Sequence, residues 1–161
     1  MAMLVFINGS INSGKTSTSK LLAKKIGAVY INVDDLNDTI PNFNLKTDLH
    51  KSFDLAIAKI NENLESGKDV VANYVVRHND WQRLQKEVRT PKKYFITLAP
   101  SLEVAQSNRG SRQLTDWEVS RVKYHYDTGI ASPKFGHVID NSDMSLEETV
   151  AKILDIIQTA N

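Results

Sequence analysis

The sequence predicts an α/β domain, a parallel sheet of five strands with helices on both faces, and three observations predict it. Short apolar runs alternate with helix-period stripes along the whole chain. The first run, Met3-Leu4-Val5-Phe6-Ile7, leads into Gly9-Ser10-Ile11-Asn12-Ser13-Gly14-Lys15-Thr16, which fits G-x-x-x-x-G-K-[ST], and a helical segment follows at once. No repeat, low-complexity tract or Pro/Gly linker divides the 161 residues, so a single domain over 1–161 is expected.

The elements follow in order. Met3–Ile7 is a buried strand. Ser17–Ile26 is a helix, with Leu22 and Ile26 one turn apart and Gly27 as its stop. Ala28–Val33 reads as the second strand, followed by a short helical stretch from Asp35 that Pro41 ends. Leu49, Phe53, Ile57, Ile60 and Leu64 recur at spacings of four, four, three and four, the stripe of a helix over about 46–66 closed by Gly67. Asp69–Val76 is the third strand. Asn79 is placed to cap a helix carrying Trp81, Leu84 and Val88, which Pro91 terminates. Tyr94–Leu98 is the fourth strand, and Ser101 caps what comes next. Capping boxes at Thr115–Glu118 and Ser145–Glu148 open two later helices, with the short strand His137–Asp140 between them.

Composition excludes several classes. Twenty basic and nineteen acidic residues give a net charge of +1, so nothing points to nucleic acid or an anionic membrane surface as partner. The chain has no cysteine, which removes disulfides and thiol catalysis and is compatible with a reducing compartment, and a cytoplasmic protein is expected. No stretch approaches the roughly 18 apolar residues of a membrane span. The N-terminal apolar run passes straight into the glycine loop and reads as core strand rather than signal sequence. Oligomeric state is not legible.

The glycine loop carries chemistry. Gly9 and Gly14 let the backbone wrap closely enough for successive N–H groups to meet one anion, and the first turn of the helix adds donors and a positive dipole end. Lys15 reaches the β- and γ-phosphates of a nucleotide and the Thr16 hydroxyl ligates Mg2+, with Ser17 at the margin. ATP and Mg2+ are therefore the expected cofactors.

Ligands of such sheets bind outside the carboxyl ends of the strands, so candidates are sought there. Asp34 and Asp35 follow the second strand: Asp34 is placed to take the proton of an attacking hydroxyl, and Asp35 to hold Mg2+ directly or through water. Either could instead simply cap the following helix. Arg109 and Arg112, flanking Gly110-Ser111, sit on a segment (about 109–128) fit to close as a lid and stabilise a transferring phosphoryl group, with Arg121 further along. After the third strand, Asn73 stands where an apolar strand would end in a metal-binding Asp. Arg77 is placed to grip an anionic or polar acceptor and His78 to hydrogen-bond it. His50, His125 and His137 show no metal-ligand spacing. Asn141, after the fifth strand, borders the position of the adenine.

With these residues placed, the chain resembles the small P-loop kinases of the nucleoside-monophosphate-kinase superfamily, which includes shikimate kinase. The segment Val33–Pro41 is similar to the part of chloramphenicol phosphotransferase that carries its catalytic Asp, which falls on Asp34. Phe6–Gly9, Tyr94–Ser101 and Asp140–Glu148 look like the ATP-binding tunicamycin-resistance protein. The resemblance implies a three-layer α/β/α fold with strand order 2-3-1-4-5, ATP with Mg2+, and a lid containing Arg109 and Arg112. The chain departs from shikimate kinase in lacking its glycine-rich segment after the third strand, and from chloramphenicol phosphotransferase in lacking an acidic strand end there. The expected function is transfer of the γ-phosphate of ATP to a hydroxyl of a small polar molecule. The alternatives are a nucleoside, nucleotide or polynucleotide 5′-hydroxyl kinase, and a non-catalytic nucleotide-binding module, which Asn73 would favour.

Overall fold

The computed structural model describes residues 1–110 and 112–160. Five parallel strands form one sheet in the order β2-β3-β1-β4-β5. They are β1 (Leu4–Gly9), β2 (Val29–Asn32), β3 (Val70–Tyr74), β4 (Lys93–Leu98) and β5 (His137–Ile139). The helices are α1 (Lys15–Ile26), α2 (Leu49–Glu65), α3 (His78–Glu87), α4 (Leu102–Ala105), α5 (Asp116–Asp127) and α6 (Leu146–Thr159), with a 3-10 helix at Asp34–Thr39.

Strand alternation divides the core into two layers. Leu4, Phe6, Ile31, Val70, Ala72, Tyr74 and Phe95 face α2 and α3, where Phe53, Ile57, Ile60 and Leu84 meet them. Val5, Ile7, Val71, Ile96 and Leu98 point the other way, onto Leu22 of α1 and Val150, Ile153 and Ile157 of α6. Because β1 is central, all four of its consecutive residues Leu4–Ile7 are buried, and Phe6 stacks on Phe95 at 5.5 Å between ring centroids.

Register brings the carboxyl ends together. Asn32 pairs with Asn73, Asn73 with Ile7, and Gly9 with Leu98, so the glycine loop, the 3-10 helix and the Val76–His78 turn leave the sheet along one edge. Buried Asn8 fastens that edge: its Oδ1 accepts from Val76 N at 2.7 Å and its Nδ2 donates to Thr97 Oγ1 at 3.0 Å.

Several boundaries differ from expectation. α1 starts at Lys15 rather than Ser17, since the break in helical geometry falls at Gly14, φ 91°. The helix after β2 is 3-10 throughout. α3 starts two residues early because Asp80, not Asn79, organises its first turn, its carboxylate accepting from Arg77 N at 3.0 Å. Both expected capping boxes are present, with Glu118 N donating to Thr115 Oγ1 and Glu148 N to Ser145 Oγ at 3.1 Å each.

Candidate functional site

The loop between β1 and α1 is shaped from below and tethered from the sides. A Cβ on Gly9 would lie 2.3 Å from Ser13 Oγ and 3.0 Å from Leu98 O, so only glycine lets the loop close over the strand end. Ser13 N donates to Ser10 O at 3.2 Å. Asn12, itself at φ 63°, donates through Nδ2 to Ala105 O at 2.9 Å and Ser107 O at 2.8 Å. An Arg109 guanidinium nitrogen donates to Asn12 O at 2.9 Å, and Asn141 Nδ2 to Ser13 O at 3.0 Å. With Ser13 O turned to Asn141, the trans peptide turns the Gly14 N–H the opposite way.

A cavity of about 460 Å3 opens beside this loop. Its wall runs from Asn12 to Thr18, so it takes in Ser13, Gly14, Lys15, Thr16 and Ser17 together with the first turn of α1, whose N–H groups and dipole favour an anion. Arg109, Gly110 and Arg112 close one side, and Asn141, Met144 and Leu146 another. The wall begins at Asn12. Gly9 and Ser10 are buried beneath it, and Ile11 is half-buried without lining it, so these three support the loop rather than face the space. Ser111, expected to loosen the lid, lies outside the described residues.

Lys15 stands at the centre of the electrostatics. Its ammonium donates to Ser10 O at 3.3 Å. Burial lowers its pKa from 10.5 to about 8, helped by Arg112 and opposed by Asp34. Asp34 is exposed as a residue, yet crowding of its carboxyl raises its pKa; Lys15 pulls it down and Asp35 pushes it up. Tyr74 is pushed up to about 12 by burial and then by Asp34. Asp34 and Arg112 thus both act on Lys15, Asp34 raising its pKa and Arg112 lowering it. Arg112 is held meanwhile by Glu118 at 2.6 Å, and its backbone pairs with Arg109 as an isolated antiparallel bridge.

The acceptor-side candidates are less uniform. Arg77 and Arg121 both act on His125, so they face a common region, and Arg121 also stacks over Tyr124 at 4.7 Å. His78 instead joins an aromatic group with Trp81 at 5.7 Å and Phe135 at 5.9 Å. Asp35 lines a different cavity, with residues of β2 and α2, and its carboxylate accepts weakly from Asn32 Nδ2 at 3.4 Å. Asn73 donates to the Tyr30 hydroxyl at 3.0 Å, and its buried Oδ1 has no hydrogen-bond partner among the described residues.

Two residues escaped sequence reasoning. His125, only 3% exposed, places Nδ1 2.8 Å from Ser10 Oγ. No local pattern links it to Ser10, 115 residues away. Asn8 left a faint signal, a polar residue inside an otherwise apolar strand.

Lys15 and His125 make stability depend on pH. Both have folded pKa values below their ordinary ones, so the unfolded chain binds more protons between about 8 and 10.5 for Lys15, and between about 4 and 6.5 for His125. Stability therefore rises with pH across each window, by at most about 1.4 kcal/mol per pH unit and group. Urea denaturation at a series of pH values is expected to show both limbs, and Lys15→Met to flatten the alkaline one. A variant with the wild-type slope above pH 8 would contradict the assignment.

No protein-family model matches the chain, and no curated protein does. Solved structures do match in fold. The chain is similar to a gluconokinase from Sinorhizobium meliloti, with TM-score 0.74 and 18% identity over 98% of this chain and 93% of that one. A sugar kinase from a Janibacter species gives TM-score 0.74 and 14% identity over 98% and 95%. A shikimate kinase from Acinetobacter baumannii, in complex with shikimate, gives TM-score 0.62 and 14% identity over 100% and 96%. The expected α/β fold with strand order 2-3-1-4-5 is therefore the observed one, shared nearly end to end with these proteins.

Proposed function

We propose that the chain is an ATP-dependent kinase that phosphorylates a hydroxyl of a small, anionic polar acceptor. The observation that carries the reading is a cavity lined by the glycine loop, Lys15, Arg109 and Arg112, with Asp34 and Arg112 both acting on Lys15. A gluconokinase, a sugar kinase and a shikimate kinase sharing the fold support an acceptor of this size and polarity.

The residues present fit a nucleotide triphosphate with Mg2+. The half-buried Lys15 lacks enough counter-charge to keep its ordinary pKa, the cavity wall is rich in loop backbone and hydroxyls, and Met144 and Leu146 give it an apolar end for a base. ATP supplies an electrophilic phosphoryl group and Mg2+ neutralises its charge. Lys15 and the loop amides would hold the β/γ-phosphates, and the Thr16 hydroxyl offers a hard oxygen to the metal. Among the described residues no cluster of three His, Cys, Asp or Glu forms a metal cage. A P-loop site needs none, since phosphates and water supply most ligands. Asp34, which acts on Lys15, is the carboxylate we assign to the acceptor proton, and Asp35, which lines the other cavity, would reach the metal through water.

Asp34 takes the proton from the acceptor hydroxyl as its oxygen attacks. Arg109 and Arg112 exchange their present partners, Asn12 O and Glu118, for phosphate oxygens. Arg77 and Arg121 hold the acceptor's anionic group. The finer likeness to chloramphenicol phosphotransferase rests on the Val33–Pro41 segment alone. The Asn73–Tyr30 pair, neutral where a strand-end acid would stand, favours a second reading as a non-catalytic nucleotide-binding module.

Transfer from γ-labelled ATP to a panel of hydroxy acids, neutral sugars, nucleosides and oligonucleotides separates these readings. Labelling of a hydroxy acid is expected. Labelling confined to nucleosides or oligonucleotides would move the chain to a 5′-hydroxyl kinase, and MgATP binding with no transfer would make it a binding module.

A further inference from the structure

Beneath the phosphate loop lies a contact that the chemistry above does not use. Ser10 is 1% exposed and His125 3%, and the hydroxyl of one meets Nδ1 of the other at 2.8 Å. The carbonyl of the same Ser10 receives the Lys15 ammonium at 3.3 Å and Ser13 N at 3.2 Å. His125 is therefore one residue removed from the resting position of Lys15. It belongs to α5, the helix that carries Arg121 and follows the Arg109–Arg112 bridge. Its own backbone is fixed by Ala131 N donating to His125 O at 3.0 Å.

We propose that His125 is a positioning residue that ties the phosphate loop to the arginine-bearing α5 helix, holding Ser10, and through it Lys15, ready for an anion. This rests on the nucleotide-binding reading of the loop. A hydrophobic residue at 125 would fill the same space but strand the buried Ser10 hydroxyl, which packing alone would not require of a histidine. The charged groups acting on the ring are Arg121 from its own helix, Arg77 from the start of α3 and Lys15 from the loop, all cations. Burial first, and then these three, hold the ring's pKa at about 4, so the imidazole is neutral and keeps one donor and one acceptor nitrogen.

A consequence follows from that surrounding charge. An anion seated among Lys15, Arg77 and Arg121 offsets their field at the ring and favours its protonated form. Filling the site should therefore raise the ring's midpoint from about 4 toward the ordinary 6.5.

The test is a double-mutant cycle on MgATP affinity, measured by calorimetry, with Ser10→Ala, His125→Leu and the double variant, plus His125→Asn, whose amide can reach the place of Nδ1. Thermal melts establish that each variant is folded. His125→Leu and Ser10→Ala are each expected to weaken MgATP about tenfold, the double variant no further than either single, and His125→Asn to recover most of the loss. Imidazole NMR titration of the wild type, with and without a non-hydrolysable ATP analogue, is expected to show the upward shift. Wild-type MgATP affinity in Ser10→Ala overturns the proposal even if His125→Leu fails to fold. So do additive losses, an Asn variant as weak as the Leu variant, or an unmoved midpoint. Failure of the wild type itself to bind MgATP would instead overturn the nucleotide reading, and this inference with it.

Discussion

Lys15→Met is expected to lower MgATP affinity by about 10- to 150-fold, the equivalent of the 1.5–3 kcal/mol typical of a hydrogen bond to a charged group. The empty protein should meanwhile melt no lower than the wild type. The two expectations have opposite signs for one reason. The ammonium donates to Ser10 O at 3.3 Å, and burial outweighs the attraction of Asp34 enough to bring its pKa to about 8. A bound triphosphate supplies the counter-charge the fold withholds. Methionine keeps the unbranched stem and its packing, so a lost charge is not confused with a lost side chain. Binding should be weakened and not abolished, because the phosphate contacts proposed for Arg109, Arg112 and the loop amides remain. The substitution also removes the attraction that lowers Asp34, so any residual activity should need a higher pH. Unchanged affinity by calorimetry would remove the phosphate-loop reading altogether.

The contrast between Lys15 and His125 shows what a sequence can and cannot carry. The loop was legible because its requirements are local. Gly14 must adopt φ 91°, Gly9 must leave room for Ser13, and α1 must begin immediately afterwards, all within eight residues. Capping boxes at Thr115 and Ser145 were legible on the same ground. Strand existence followed from apolar runs, whereas the order of the strands came from resemblance, since periodicity does not say which neighbours pair.

What stayed hidden is long-range. Asn12 finds Ala105 and Ser107, Arg109 returns to Asn12 O, and Asn141 reaches Ser13 O across 128 residues. Each partner is brought there by sheet register, which no short window encodes. The same holds for Asp35. Next to Asp34 in sequence, it lines a separate cavity with residues of β2 and α2, a grouping no short window encodes. His78, expected to hydrogen-bond an acceptor, also makes ring contacts with Trp81 and Phe135 that its own segment does not announce. The shape of the glycine loop and the start of α1 were therefore readable. The residues proposed to meet the acceptor come from two strand ends and α5, so no single segment makes their grouping readable.

Asp34→Asn should reduce transfer to the acceptor by roughly 10^2- to 10^4-fold, the range for loss of a positioned general base. MgATP affinity should stay within a factor of about three, because the proposed function assigns that binding to the loop amides, Lys15 and the arginines. The substitution is close to isosteric, and the backbone contact that shapes the turn, Asp34 N donating to Asn32 Oδ1 at 3.1 Å, does not involve the carboxyl. Stability gives a control with a defined sign. A carboxyl whose folded pKa is raised binds protons more readily in the native state, so ionising it costs stability as pH rises through that window. Removing it should leave the melting temperature at neutral pH equal or slightly higher, the effect being small at a solvent-screened site. The pH profile is the sharper readout. In the wild type kcat/KM should climb as Asp34 loses its proton, above the usual carboxylate range, and that limb should vanish in the variant. Transfer at the wild-type rate, with the acid limb intact, would mean that the acceptor proton leaves by another route. Asp34 would then act only as the charge that steadies Lys15, and its loss would appear in the alkaline limb of stability rather than in turnover.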